Sequence, residues 1–462
     1  MSKPKDYSWM TKDKLMTYTF LALVAIAIVT TVLWWGVVAK DPATGTEIGW
    51  QYGYAVIGNC LIAVGLAVGI DFLLYKVAED SSLNTMSAAV FGLIVALSYT
   101  IGEPQMRSLD VLPLLAPECF IWVALITIIG IVLFKKIQGL KGRKFVNPAA
   151  AAKLLVFALL GVFTVLISSN HTSSGPLGVP SLAGAIGYNL PINGNGLAGF
   201  GFYLAGCFGN PSSVIPNVVT QNDVFNLLIF SKFHTWIGGA CSLAVIIAGI
   251  ALFVLARRYI KWRITVAYFV AVALMSVILN FAYPGGDLLL RLGFELLIGS
   301  SVFLAFFMAT DPASTPLTHL GQLIFGVGLG VLTVLIQTYM GFLGGSILAL
   351  VIMNLTSPVL DRVGKWKPTT ESKEPKLPKA KAFAPEKVKT YECIRCGACL
   401  RVCCHKLSPI LINQAFVKKD FDAMIKLNAD YCTGCGHCSF VCPSRIDLKG
   451  SVLRSKAMLK QQ

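Results

Sequence analysis

The sequence predicts an all-α membrane protein of about ten transmembrane helices that ends in a small, mainly helical, cysteine-rich domain. Three observations carry this expectation. Of 462 residues, 55% are hydrophobic and only 13% charged, with a positive mean hydropathy that soluble globular domains of this size do not reach. Apolar runs recur at close to the ~20 residues a bilayer needs. Near the carboxy terminus, eight cysteines repeat the spacing Cys-x-x-Cys-x-x-Cys-x-x-x-Cys twice.

The apolar runs fall near residues 15–39, 52–75, 86–101, 112–134, 149–168, 235–257, 262–282, 287–308, 319–338 and 342–360. The first is long enough to span and lacks a small-residue cleavage site. It is expected to stay as the first helix of a transmembrane domain over 15–361, behind a short terminus over 1–14. The formal charge of +16 would suggest nucleic acid in a soluble protein. Here the cations cluster beside apolar runs, at Lys3, Lys5, Lys12 and Lys14, from Lys135 to Lys144, from Arg257 to Arg263, and from Arg362 to Lys367. With ten helices all four clusters share the cytoplasmic side of a cell inner membrane, both termini are cytoplasmic, and no nucleic-acid partner is implied.

Residues 168–234 are rich in Gly, Asn, Ser and Pro, with Asp223 and Lys232 their only formal charges. They read as an outer loop, either a packed cap or a partly re-entrant segment through Leu197 to Phe208. Residues 362–390 turn Lys- and Pro-rich without apolar periodicity, as a linker does. They lead to the last domain, 391–462.

The cysteine spacing has a physical reason: three thiolates two residues apart wrap one face of an iron–sulfur cube, and the fourth reaches a second cube. The expected ligand sets are therefore crossed between motifs. Cys393, Cys396, Cys399 and Cys442 are assigned to one [4Fe–4S] cluster; Cys432, Cys435, Cys438 and Cys403 are assigned to the other. Zinc sites favour isolated Cys-x-x-Cys pairs, and disulfides have no use for a fixed repeat. Pro443 follows the last cysteine of the second motif, whereas Cys404 holds that place in the first. Cys404 reads as a spare thiol, with a ligand swap against Cys403 as the alternative. Between the motifs, Ile410 to Leu427 has the apolar spacing of one amphipathic helix, which favours a helical two-cluster domain over a β-containing one.

The stretch from Cys393-Ile394-Arg395-Cys396 to Cys442-Pro443-Ser444 resembles the ferredoxin-like end of the RnfC component of the Rnf ferredoxin:NAD oxidoreductase complex. The membrane part resembles the RnfD component of that complex and the NqrB component of the sodium-pumping NADH:quinone oxidoreductase. The resemblance rests on Phe145-Val146-Asn147-Pro148-Ala149, on Trp262, and on Phe306-Phe307-Met308-Ala309-Thr310-Asp311-Pro312 followed by Gly321, Gly326, Gly344, Gly345, Met353-Asn354 and Pro358. It implies a flavin-binding electron-transfer subunit working with other membrane and soluble subunits. The covalent FMN motif of that family, Asp-x-x-Ser/Thr-Gly-Ala-Ser/Thr, has no complete copy here. Its nearest match, around Thr172 and Ser174, lacks both the acidic residue and the terminal acceptor. Any flavin, FMN or riboflavin, is therefore expected to be non-covalent, with Asn147 and Asp311 as candidate contacts and helix capping as their other reading. The nucleotide site of the RnfC component is absent from the sequence.

Glu118, and Asp287, Arg291 and Glu295 spaced four apart, are ionisable groups at membrane depth. They read either as an ion path or as a self-neutralising ladder. Cys60, Cys119, Cys207 and Cys241 read as small hydrophobes. The function that follows is electron relay between a soluble partner such as a ferredoxin or flavoprotein, the two clusters and a membrane flavin, with Na+ or H+ coupling implied by resemblance. The competing readings are a quinone reductase component and a solute transporter carrying an iron–sulfur sensor.

Overall fold

The structure, a computed structural model, describes residues 8, 10–35, 38–40, 47–77, 85–99, 118–138, 144–156, 229, 236–282, 288–297, 299–340, 345–364 and 390–461. Nearly all of the 168–234 loop, most of the 362–390 linker, Asp287, Thr172 and Ser174 lie outside the described residues. The side chains of Glu118 and Arg291 do too.

The membrane part is built from α1 (Lys12–Trp34), α2 (Tyr52–Val77), α3 (Thr85–Ser98), α4 (Glu118–Ile129), α5 (148–156), α6 (Ser242–Ala256), α7 (Trp262–Ala282), α8 (Leu288–Leu297), α9 (Gly299–Phe303), α10 (His319–Met340) and α11 (Gly345–Val363). Among the described residues, six helical stretches are long and apolar enough to cross a membrane, while α3 and α6 are shorter apolar helices. The helices turn large apolar side chains outward, among them Ile28 and Val32 on α1, Leu61 and Leu73 on α2, Val254 on α6 and Leu274 and Ile278 on α7. Water does not reward such a surface, but lipid does. One short antiparallel hairpin, Val38–Lys40 paired with Glu47–Gln51, stands outside the all-α expectation. Its Val, Ile and Trp residues favour extended backbone.

Two helices widen locally. α4 runs on as π-helix over Gly130–Ile137, and α9 does so over Leu304–Met308. Such segments are rare and concentrate at functional sites.

Close helix packing depends on glycine. A Cβ on Gly326 would lie 2.6 Å from the Ile264 carbonyl oxygen, and one on Gly330 would lie 2.8 Å from that of Tyr268, so α10 meets α7 backbone to backbone. This small-x-x-x-small pairing is how membrane helices approach. Gly326→Val is expected to cost roughly 1–3 kcal/mol, because the Ile264 backbone carbonyl it meets cannot yield. Gly65→Ala meets nothing within 4 Å and should be near neutral. Equal thermal midpoints for the two detergent-solubilised variants would refute the packing role.

The last domain carries α12 (Ala398–Arg401), α13 (Pro409–Val417), α14 (Phe421–Lys426), α15 (His437–Phe440) and α16 (Leu448–Leu459), with no strand among residues 390–461. The single helix expected over 410–427 is two. Lys419 turns left-handed at φ 54°, and Asp420 starts α14 by accepting the Ala423 amide at 2.9 Å. A good N-cap outweighs an uninterrupted apolar stripe here.

Candidate electron-transfer site

The two cysteine motifs fold alike. Arg395 (φ 53°) and Gly397 (φ 72°) in the first match Gly434 (φ 74°) and Gly436 (φ 82°) in the second, and Lys406 and Arg445 turn left-handed three residues beyond the last cysteine of each. These turns aim backbone amides at sulfur. Arg395 donates to Cys393 Sγ at 3.3 Å, Gly434 to Cys432 Sγ at 3.4 Å, and Leu407 to Cys403 Sγ at 3.2 Å. Amide-to-sulfur bonds of this kind stabilise thiolate and raise a cluster's potential.

The cysteines converge in crossed sets. Cys393, Cys396, Cys399 and Cys442 border one cavity, and Cys432, Cys435, Cys438 and Cys403 border a second. Burial pushes the Cys393 thiol up to about 11 and the Cys438 and Cys442 thiols up to about 12. Thiols that resist ionising need a cation to become thiolates, which is chemistry an iron core supplies. Donor set and chemistry fit a [4Fe–4S] cluster in each cavity. Cys404 also borders the second cavity, with Sγ 3.8 Å from Cys435 Sγ and 3.5 Å from His437 Nδ1.

The first cavity faces the membrane part. Ser8 and Lys12 donate backbone hydrogen bonds to the carbonyls of Phe440 and Pro443 at 3.1 and 3.0 Å. Ile394, Cys396, Ala398, Val402 and Val441 continue the apolar core that contains Met10, Leu15, Tyr259 and Ile260. Leu317 packs with Cys399, Leu400 and Cys442. Its amide donates to Asp361 Oδ1 at 2.6 Å, and Asp361 Oδ2 pairs with the buried Arg395 at 3.5 Å. The turn carrying Leu317 is pinned by Lys261 Nζ, which donates to the Pro312 and Thr315 carbonyls at 2.8 and 2.9 Å and to Thr315 Oγ1 at 2.8 Å. Burial pulls this ammonium down to about 7, against the three acceptors that use all its protons.

Behind this contact lies a cavity of about 130 Å³, bordered by Lys135, Lys144, Asn147, Tyr259, Phe306, Phe307, Thr310 and Asp311 among others. Both π-helical stretches line it. Tyr259 is the shared wall: buried, 3.3 Å from Ser8 Oγ, and in electrostatic reach of Cys396 and Cys442. Asn147 and Asp311 both border the cavity, with their polar atoms engaged in structure. Asn147 Oδ1 accepts the Ala149 and Ala150 amides at 3.1 and 3.3 Å, capping α5, while its Nδ2 donates to the Met308 carbonyl at 3.1 Å. Asp311 accepts the Ala313 amide at 3.3 Å and the Ser314 hydroxyl at 2.9 Å. Sequence reasoning does not single out Lys135, Lys144 and Tyr259 as site residues. Lysine in a basic loop looks like a topology signal, and only the fold shows which of them turn inward.

Glu295 is buried on α8, in electrostatic reach of Tyr268, whose hydroxyl neighbours Ser301 and Thr333. Glu118 begins α4 and Arg291 lies on α8. The structure does not bring these residues together into one described path.

Residues 7–369 match the NQR2, RnfD, RnfE family, and residues 392–446 match a 4Fe-4S dicluster domain. Among curated relatives, the D subunit of the Na(+)-translocating ferredoxin:NAD(+) oxidoreductase complex of Acetobacterium woodii is 24% identical over 336 residues, covering 71% of this chain and 87% of its own. The B subunit of the Na(+)-translocating NADH-quinone reductase of Ectopseudomonas mendocina is 29% identical over 252 residues, 54% of this chain and 56% of its own. The D subunit of the ion-translocating oxidoreductase complex of Mannheimia succiniciproducens is 25% identical over 351 residues, 72% of this chain and 91% of its own. With most of its length matched, the chain belongs to the NQR2, RnfD, RnfE family and carries in the same polypeptide a dicluster domain for two [4Fe–4S] clusters.

Proposed function

We propose that this chain is the membrane subunit of a multi-subunit redox complex, relaying electrons between a soluble partner at its dicluster domain and a non-covalent flavin in the membrane cavity. The docking carries this reading. One cysteine cavity is pressed against the Tyr259 wall, while Cys435 of the other is exposed. [4Fe–4S] clusters, when bound, supply low-potential one-electron transfer. The chain's residues do the positioning: Lys261 and Asp311 fix the turn that presents Leu317, and Asn147 ties α5 to the π-helical stretch behind Phe306 and Phe307.

The relatives' names, each that of one subunit of a larger assembly, support other subunits as partners. Residues 390–461 hold eleven Lys and Arg against five Asp and Glu, which suits an acidic ferredoxin or flavoprotein as donor or acceptor. The cations Lys12, Lys144, Arg258 and Arg263 lie within electrostatic reach of one another or of Glu392 and Arg401 in the dicluster domain, in support of a cytoplasmic orientation of that end. Coupling to Na+ or H+, with Glu118, Arg291 and Glu295 as path residues, is supported by the relatives' names and by the burial of Glu295.

Cofactor content tests the reading. The purified chain should hold about eight iron atoms and as many acid-labile sulfides, with flavin released into the supernatant by acid precipitation. About four irons, bound zinc, or no flavin would overturn it.

A further inference from the structure

We propose that Cys404 and Cys435 form a protective disulfide site: with the second cysteine cavity emptied of iron, a peroxide oxidant closes these two thiols on each other. This rests on the two-cluster reading above and goes beyond it, since the bond has no part in electron relay.

Cys404 is a fifth thiol at a cavity whose four ligands are already supplied by Cys403, Cys432, Cys435 and Cys438. Its Sγ stands 3.8 Å from Cys435 Sγ and 3.5 Å from His437 Nδ1. The donor atoms of Cys404, Cys435 and His437 all lie within 4.8 Å of one another. Cys435 is exposed, whereas Cys396, Cys399 and Cys442 at the first cavity are buried. An oxidant therefore reaches Cys435 first, and Cys404 is the thiol beside it.

The internal repeat of the domain shows how selective this placement is. The residue after the last cysteine of each motif borders the cavity that this cysteine serves, Pro443 at the first and Cys404 at the second. The first cavity lies against the membrane part, where the Pro443 carbonyl accepts the Lys12 amide. The extra thiol thus stands at the cavity with the exposed cysteine and not at the covered one. A disulfide requires the sulfurs to approach to about 2.05 Å. Cys435 has a glycine on either side, Gly434 and Gly436, both at positive φ, which leaves its turn free to swing through the remaining distance.

The chemistry balances with hydrogen peroxide as oxidant. The Cys435 thiolate takes one oxygen, giving a sulfenic acid and hydroxide; the Cys404 sulfur then attacks Cys435 Sγ, the S–S bond forms, and the oxygen leaves as water. Two thiols and one peroxide become one disulfide and two waters. Without a neighbouring thiol the sulfenic acid goes on to sulfinic acid, which thiol reductants do not reverse. The disulfide also joins the same two segments that the crossed ligand set joins through Cys403 and Cys435. In a reducing compartment such a bond is transient, so the ligands return for rebuilding.

The test strips iron from the full-length protein in neutral detergent with a chelator, adds hydrogen peroxide, and maps cysteines by peptide mass spectrometry. A parallel sample is then reduced with dithiothreitol and reloaded with iron and sulfide. Cys404–Cys435 should be the predominant disulfide of the second cavity, and reloading should restore about eight iron atoms. Cys404→Ser should hold its full iron as purified, yet after peroxide it should carry sulfinic acid at Cys435 and reload about four atoms fewer. Cys60→Ser should behave as the unaltered chain. A Cys404 that stays a thiol, or a Cys435 bound mainly to Cys403, Cys432 or Cys438, would overturn the proposal. Cys404→Ser purified with only about four irons would overturn it as well, by making Cys404 a cluster ligand. About four irons in the unaltered protein would instead overturn the two-cluster reading, while the mass spectrum still decides the disulfide.

Discussion

Cys442→Ala is expected to abolish the same cluster as Cys396→Ala, although the two residues come from different motifs. Both border the cavity that also holds Cys393 and Cys399. Iron should fall from about eight to about four atoms per chain in either variant, and the low-temperature paramagnetic spectra of the two reduced variants should coincide. Cys435→Ala should lose the other half of the spectrum. Cys442 is the better probe of crossing than Cys403, because Pro443 follows it and no neighbouring thiol can substitute, whereas Cys404 lies against Cys435. A Cys442→Ala spectrum that matches Cys435→Ala instead would refute the crossed arrangement.

The cluster domain was legible because cysteine spacing acts locally: the turn after each first cysteine is written in three residues, and its left-handed positions recur in both copies. The helical membrane part was legible from apolar run length, which needs no knowledge of neighbours. Long-range placement was not. Asn147 and Asp311 stand out as polar residues before prolines; the fold uses Asn147 to cap a helix and Asp311 to close a turn in which no helix starts. Lys135 sits in a run of basic residues that explains topology without any cavity. In the fold, on the π-helical stretch that continues α4, Lys135 borders the cavity while its neighbour Lys136 meets Asp71. The spacing of Ile410 to Leu427 fails differently, since a local cap at Asp420 divides a pattern that periodicity alone leaves whole.

Asp361→Ala should undock the dicluster domain from the membrane part. The carboxylate joins two partners at the contact, the Leu317 amide at 2.6 Å and Arg395 at 3.5 Å, with both side chains of the ion pair less than a tenth exposed. Removing it leaves a buried guanidinium without its counter-charge, and Arg395 Nε and Nη1 have no partner among the described residues. Breaking a buried pair in this way costs roughly 3–5 kcal/mol, about two to three and a half decades in the docking equilibrium. Arg395 also occupies a position where the second motif has glycine, at a positive φ that costs a non-glycine residue about 1 kcal/mol. That strain is accounted for by the pairing with Asp361, which has no counterpart at Gly434. Arg395→Gly should therefore weaken docking less than Asp361→Ala: it relieves the backbone, and the remaining carboxylate keeps the Leu317 amide. The measurement is amide exchange at Ser8 and Lys12, whose hydrogen bonds to Phe440 and Pro443 exist only when docked, alongside the stopped-flow rate of flavin reduction after the clusters are reduced. Faster exchange and at least about tenfold slower flavin reduction, with iron content unchanged, are expected for Asp361→Ala, and a smaller change in both for Arg395→Gly. Unaltered exchange in Asp361→Ala, or a larger effect from Arg395→Gly, would show that the pair does not hold the two parts together.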